Sequence, residues 1–301
     1  MKKITAVLLA FCIASFTFAG CGESKEASAT SILESTRTTE PKTSSNPTKE
    51  KVQISDRTLG EIWITEAEGV DKNKLVNANF NSDGNFKYYQ KDGKKASRTG
   101  IDISSFSGSI DWKKVKESGV EFAMIRIGGR GYGEEGTLYS DDNAIDYING
   151  AKSVGIKVGG YFFSQAVNKD EAVAEADYVK SILGDIKLDY PLAFDWEIIE
   201  DDEARTDNVT NEEVTECAVA FCNRARELGY IPMIYSTSKE LYYRYDLSQL
   251  ADVDIWYSEY EDTPEFYYEF SMWQYSLSGA VDGIEGDVDL NLCFTEIADY
   301  S

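Results

Sequence analysis

Four carboxylates sit in this chain where an apolar strand has no use for charge. In Pro191-Leu192-Ala193-Phe194-Asp195-Trp196-Glu197 a hydrophobic run ends in two acids. Residues i and i+2 of a strand share a face, so Asp195 and Glu197 project from one wall, roughly 6–7 Å apart along the backbone. Asp102 interrupts Gly100-Ile101-Asp102-Ile103-Ser104, and Asp289 interrupts Asp287-Val288-Asp289-Leu290-Asn291. Taken singly, each reads as a solvated strand end or a turn cap. Brought together they would raise one another's pKa by burial and repulsion, which proteins tolerate mostly for acid catalysis or a metal. Paired carboxyls with one held protonated are the working parts of glycosidic bond hydrolysis. The sequence contains no histidine. Ser-His-Asp and Cys-His catalysis and His-ligated zinc are thereby excluded. Acid–base chemistry falls to Asp, Glu, Tyr, Lys or Cys, and neither a metal nor a cofactor is implied.

The elements that must position these acids follow from hydrophobic periodicity. Short apolar runs at 100–104, 121–128, 157–164, 191–197 and 231–236 predict strands. Helices are expected between them near 111–118, 141–154, 169–184 and 212–228. The third opens on Asn168 with Glu171 three residues on, and the fourth on Thr210 with Glu213, both capping-box patterns. Beyond residue 251 the helical pattern fades, and strand-like runs follow at 253–257, 271–276 and 287–294. Alternating strands and helices predict a mainly parallel sheet, and eight strands predict closure, so the expected class is α/β, a TIM-like barrel. Functional groups of such barrels gather at the C-terminal ends of the strands. Acids from strands one, four and eight would meet there, because the first and last strands of a closed barrel are neighbours. Tyr161, Tyr235, Trp256, Tyr260 and Trp273 lie near these strands and serve equally as a platform for sugar rings or as ordinary core.

The rest of the chain reads as address and tether. Met1-Lys2-Lys3 followed by an apolar stretch to Phe18 has the layout of a secretory signal peptide over 1–20. Phe18-Ala19-Gly20-Cys21 is similar to the lipobox of bacterial lipoproteins, which makes Cys21 the expected lipidation site and the membrane an expected partner through that anchor. Ordinary cleavage near Ala19 is the alternative. Residues 21–50, rich in Ser, Thr, Lys and Glu, cannot recover their ordering entropy by burial and are expected to be a disordered tether. Residues 51–98 read as a small polar pre-domain with a hairpin around Asp92-Gly93, ahead of the barrel at 99–301. The net charge of −23, from 53 acidic and 30 basic residues, repels phosphates and disfavours nucleic acid as a partner. Cys217, Cys222 and Cys293 suit neither a zinc site nor an obvious disulfide and are expected as buried thiols.

The motifs, taken in order, resemble glycoside hydrolase family 25 lysozymes. The likeness runs from Gly100-Ile-Asp-Ile-Ser-Ser-Phe-Ser-Gly-Ser-Ile-Asp-Trp112 through Val120–Ile127, Gly160–Phe163, Ala193–Glu197, Gly229–Tyr235, Ile255-Trp256, Trp273–Tyr275 and Val288–Asn291. It spans about residues 98–295. The resemblance implies a barrel of five β/α units plus three further strands. It also implies hydrolysis of the β-1,4 bond between N-acetylmuramic acid and N-acetylglucosamine in peptidoglycan glycan strands. On this chain it assigns Glu197 as general acid and Asp195 as its stabilising partner, with Asp102 and Asp289 completing an acidic floor. Tyr161, Tyr235, Trp256, Trp273 and Gln274 form the implied substrate-binding set. The chain departs from the family's usual pattern at Phe162, often His, and at Ser107, often Gln or Asn. Two alternatives stay open: a non-catalytic peptidoglycan-binding lipoprotein, and a glycosidase of this fold acting on another N-acetylated glycan. The expected location is the outer face of a bacterial membrane, lipid-anchored or secreted.

Overall fold

A computed structural model describes residues 51–295 of the chain, all within one compact unit, Lys49–Ser301. The signal segment, the tether and Cys21 lie outside the described residues. All eight expected strands form, and we number them β1 (Arg98–Ile103), β2 (Phe122–Arg130), β3 (Lys157–Ser164), β4 (Leu192–Trp196), β5 (Pro232–Thr237), β6 (Asp254–Ser258), β7 (Met272–Gly279) and β8 (Val288–Cys293). Strands β1 to β7 pair in parallel in chain order, and β8 lies antiparallel between β7 and β1, which closes the barrel. The departure of β8 from the parallel pattern has a simple cause. A parallel return needs a crossover of about a dozen residues or more, whereas β7 and β8 are joined by the short loop 280–287. Because β8 runs backwards, its first residues rather than its last reach the mouth formed by the ends of the other strands. Asp289 is at the mouth for that reason, and it stands directly opposite Asp102 across the β8–β1 ladder.

Helices α1 (Trp112–Glu117), α2 (Ala144–Ser153), α3 (Lys169–Leu183), α4 (Asn211–Glu227) and α5 (Ser238–Tyr243) follow the first five strands. The last of these and a short strand, Leu138–Ser140, carry no clear sequence signal. Helix α4 starts on the full reciprocal box, with the Thr210 hydroxyl accepting from the Glu213 N–H while the Glu213 carboxylate accepts from the Thr210 N–H at 2.8 Å. Helix α3 is capped by Asn168 alone, because Glu171 turns to Val167 N and to Arg205.

Two apolar layers hold the sheet in place. Outward residues such as Ile101, Ile125, Phe194 and Ile234 pack under the helices, while Phe122, Met124, Ala193, Met233 and Met272 fill the barrel itself. The lower plug depends on missing side chains: a Cβ at Gly100 would lie 2.2 Å from the Phe122 ring, and one at Gly159 2.4 Å from the Met124 sulfur. Such close packing leaves no continuous pore, so chemistry is confined to the mouth. Cys217, Cys222 and Cys293 are buried, and burial raises the first two thiols to about 12, which keeps those two unreactive.

Residues 51–98 lie in the same compact unit as the barrel. They form a hairpin (Lys51–Asp56 with Gly60–Thr65) and a three-stranded sheet (Phe80–Ser82, Lys87–Lys91, Lys94–Lys95). The expected turn at Asp92-Gly93 is present with both φ values positive, 52° and 75°, the conformation of a tight hairpin turn. Ile54, Ile64 and Phe86 join the same core cluster as the barrel. The segment grips the loop between β6 and β7: Arg57 donates to Thr263 O at 2.6 Å and pairs with Glu265, and Lys87 donates to Glu261 O and Asp262. No helix among the described residues is long and apolar enough to cross a membrane.

Candidate active site

Strand alternation at the mouth turns Asp195 and Glu197 inward and Trp196 outward, where its indole donates to Ala166 O. Both acids line a cleft of about 340 Å³ together with Asp102 and Asp289, so all four predicted carboxylates meet in one place. Tyr161, Tyr235, Trp256 and Gln274 line it as well, as do Arg126, Phe163, Tyr260 and Leu277. Trp273 does not. It is fully buried on the outer side of β7, donating to Glu259 O at 2.7 Å and meeting Phe80 edge-on. Neighbours on one strand face opposite sides, so Gln274 and Trp273 cannot both reach the cleft. Phe162 likewise faces outward against Tyr178 of α3; the family's variation at that position therefore touches core packing in this chain rather than sugar. Ser107 stays local, accepting from Ser104 N in the turn after β1.

Asp102 is held on all sides. Its Oδ2 accepts from Gln274 Nε2 at 2.8 Å and from Asn291 Nδ2 at 2.7 Å. Each amide is oriented in turn. The Gln274 oxygen accepts from the hydroxyls of Tyr235, Tyr260 and Ser258, and the Asn291 oxygen from the Trp256 indole. A network in which every member has its partners is rigid, and it fixes the floor of the site. Arg126 is anchored by Asp141 at 2.8 Å, with the exposed Phe106 ring over its guanidinium. Behind the rim, Arg130 pairs with the buried Glu175 at 2.6 Å, and Ser164 donates to the same carboxylate. Burial lifts Glu175 to about 7 against those contacts. Arg126 and Asn291 belong to the site and were legible: an arginine interrupting an apolar strand is the signal that marks Asp102, and Asn291 shares the face of Asp289.

The four acids do not titrate alike. Burial, foremost, pushes Asp195 well above the carboxylate range, and the charge of Glu197 and their shared hydrogen bond push the same way. Glu197 reaches into the open mouth yet is also raised, chiefly by the packing around its carboxyl, while the hydrogen bond to Asp195 opposes the rise. A hydrogen bond between two carboxyls needs a proton on one of them, and both shifts favour keeping it there. Burial and Asp102 lift Asp289 to about 8, and Asp102 itself is raised by burial against its amide donors. Asp195 Oδ1 is buried with no hydrogen-bond partner among the described residues. No group of three or more His, Cys, Asp or Glu among them is arranged to hold a metal ion.

The shift at Asp289 has a consequence for stability. Its folded pKa of about 8 exceeds the ordinary 3.8, so the native state holds a proton that the unfolded chain releases. That contribution is full below about 4 and is lost as pH rises to about 8. Asp289→Asn removes the slope, and its amide can still donate to Asp102. We expect the melting temperature of Asp289→Asn to match the parent near pH 5 and to exceed it by a few degrees at pH 9, measured by calorimetry; equal curves at both pH values would refute the assignment.

A family model described as glycosyl hydrolases family 25 matches residues 101–284, well over half of the chain. The chain belongs to glycosyl hydrolases family 25. This family 25 chain is 30% identical over 194 residues to the autolytic lysozyme of Clostridium acetobutylicum, covering 64% of itself and 54% of that protein. It is 28% identical over 202 residues to lysozyme M1 of Streptomyces globisporus, covering 64% of itself and 66% of that protein. It therefore spans about half to two thirds of the length of these relatives. Among solved structures, the spore cortex lytic enzyme SleM of Clostridium perfringens matches with a TM-score of 0.58 at 23% identity, over 70% of this chain and 71% of that one. A bacterial lysozyme from Streptomyces coelicolor matches with a TM-score of 0.55 at 25% identity, over 67% and 94%. The family model leaves out residues 51–98, including those that grip the β6–β7 loop.

Proposed function

We propose that the protein is a peptidoglycan hydrolase cleaving the β-1,4 bond between N-acetylmuramic acid and N-acetylglucosamine, with Glu197 as general acid and Asp195 as stabiliser. The observation that carries the reading is the meeting of Asp195 and Glu197, side by side on one face of β4, with Asp102 and Asp289 in a single cleft. The sugar's own N-acetyl oxygen is the nucleophile in this reading. Neither acid of the floor is free for that role: burial and Asp102 lift Asp289 to about 8, and Asp102 accepts from both amides at Oδ2. An acetamido N–H donating to Asp195 favours its ionised form, which sends the shared proton to Glu197. Glu197 passes it to the glycosidic oxygen as the C1–O bond breaks and the acetyl oxygen closes on C1. A water, deprotonated by Glu197, then opens the ring intermediate. Substrate-assisted hydrolases of this kind are a recognised exception to the two-carboxylate scheme.

The test is to incubate the protein with purified peptidoglycan and identify the new reducing ends. Muramic acid ends support the reading, glucosamine ends contradict it, and no release leaves a binding protein. Attachment to the outer membrane face through Cys21 rests on Phe18-Ala19-Gly20-Cys21. Cys21→Ser is expected to move the protein from the membrane fraction to the medium; retention in the membrane would refute the anchor.

A further inference from the structure

Tyr260 lines the catalytic cleft and also a second, larger basin of about 490 Å³. The two lie on opposite faces of one wall. Along β7, Leu277 faces the cleft while Ser276 and Ser278 face the basin; on β8, Asp289 faces the cleft and Leu290 the basin. Tyr260 stands on the crest between them, 47% exposed, its hydroxyl fixed by Gln274 and Ser258. The far wall of the basin comes from the hairpin turn after Phe80–Ser82, where Gly84 adopts φ 104° and presents Asn85. That wall lies outside the residues the family model matches.

The chemistry of the basin is that of a sugar site. Ser82, Ser276, Ser278 and Asn85 offer uncharged donors and acceptors beside a half-exposed aromatic ring. Its one cation, Lys87, is committed to Glu261 O and Asp262, so nothing there favours an anion. Aromatic surface with a few neutral polar groups suits a pyranose, whose faces are apolar and whose rim is hydroxyl and amide. The segment 51–98 supplies one wall and, through Arg57 and Lys87, braces the loop that carries Tyr260.

We propose that this basin binds an N-acetylhexosamine unit of the same glycan strand, beyond the units held in the cleft, with Tyr260 as the crest over which the strand passes. The inference rests on the peptidoglycan reading above and extends the site to a part of the chain outside the family match.

Equilibrium binding tests it without requiring turnover. Peptide-free glycan strands of four and of eight sugars are titrated into the full chain carrying Glu197→Gln, and into the same chain with Ser278→Tyr or Asn85→Ala added. Both positions are exposed, and melting temperatures check that the fold is kept. The longer strand is expected to bind about tenfold more tightly than the shorter to Glu197→Gln. Ser278→Tyr should erase most of that gain and Asn85→Ala part of it, with four-sugar affinity changed less than twofold. A length gain that survives both substitutions overturns the proposal, as does equal binding of both lengths to Glu197→Gln. A gain seen only with strands that carry stem peptides also overturns it, assigning the basin to peptide. Failure of the parent enzyme to release muramic acid ends would instead count against the hydrolase reading, which the binding ratios do not measure.

Discussion

Glu197→Gln is expected to lower kcat on peptidoglycan by about 10²- to 10⁴-fold, the range that a positioned general acid contributes. The amide keeps the size of the carboxyl and can still hydrogen-bond to Asp195, but it has no proton of suitable acidity for the leaving oxygen. Substrate binding should survive, so KM changes little and the loss falls on kcat, the pattern of an interaction made in the transition state. The pH profile carries the same message. Glu197 and Asp195 are both raised above the ordinary carboxylate range. The pair's upper ionisation therefore lies above that range, and kcat/KM of the parent should fall as pH rises through it. Steady-state rates of reducing-end release across pH 4–9 provide the measurement. Normal turnover by Glu197→Gln would pass the role of acid to another residue and sink the assignment.

Much of this site was legible because the rules that expose it are simple. A charge inside an apolar strand is costly, and period-two alternation gives Asp195 and Glu197 one face. The same rule sets Trp273 on the face opposite Gln274, and it marks Arg126 as a charge inside an apolar strand. Aromatic residues mislead here because both faces of a barrel strand are buried: Trp256 fills the interior and Trp273 the outer layer, and nothing in either residue type tells them apart. Tyr260 lies beyond the end of β6, where alternation no longer applies, and its place at the mouth is set by Arg57 and Lys87 from far away in sequence. Residues 51–98 looked independent because few of their side chains are apolar. Those few, among them Ile54, Ile64 and Phe86, are the ones that join the barrel's core. The reversal of β8 was implicit in its short connection and changes which end of the strand delivers an acid to the mouth.

Asp195→Asn separates a stabilising partner from a bystander. Loss of the carboxylate removes the acceptor for the substrate's acetamido N–H and the negative charge that would offset the positive ring intermediate. Deleting one such preorganised electrostatic contact typically costs about 10²- to 10³-fold in kcat, and that is the loss expected here. A second readout distinguishes this role from mere support. In the parent, the pair resists giving up its last proton because the product is two adjacent carboxylates in a buried site. With an amide at position 195 that repulsion is gone and its N–H₂ can donate to Glu197, so the alkaline limb of kcat/KM should move to lower pH. The substitution also removes a buried acid whose Oδ1 has no hydrogen-bond partner among the described residues, so the melting temperature at pH 7 should hold or rise while activity falls. A loss of activity accompanied by unfolding would assign Asp195 a structural role. Unchanged activity with an unmoved alkaline limb would break the proton-sharing pair, and with it the route by which substrate binding arms Glu197.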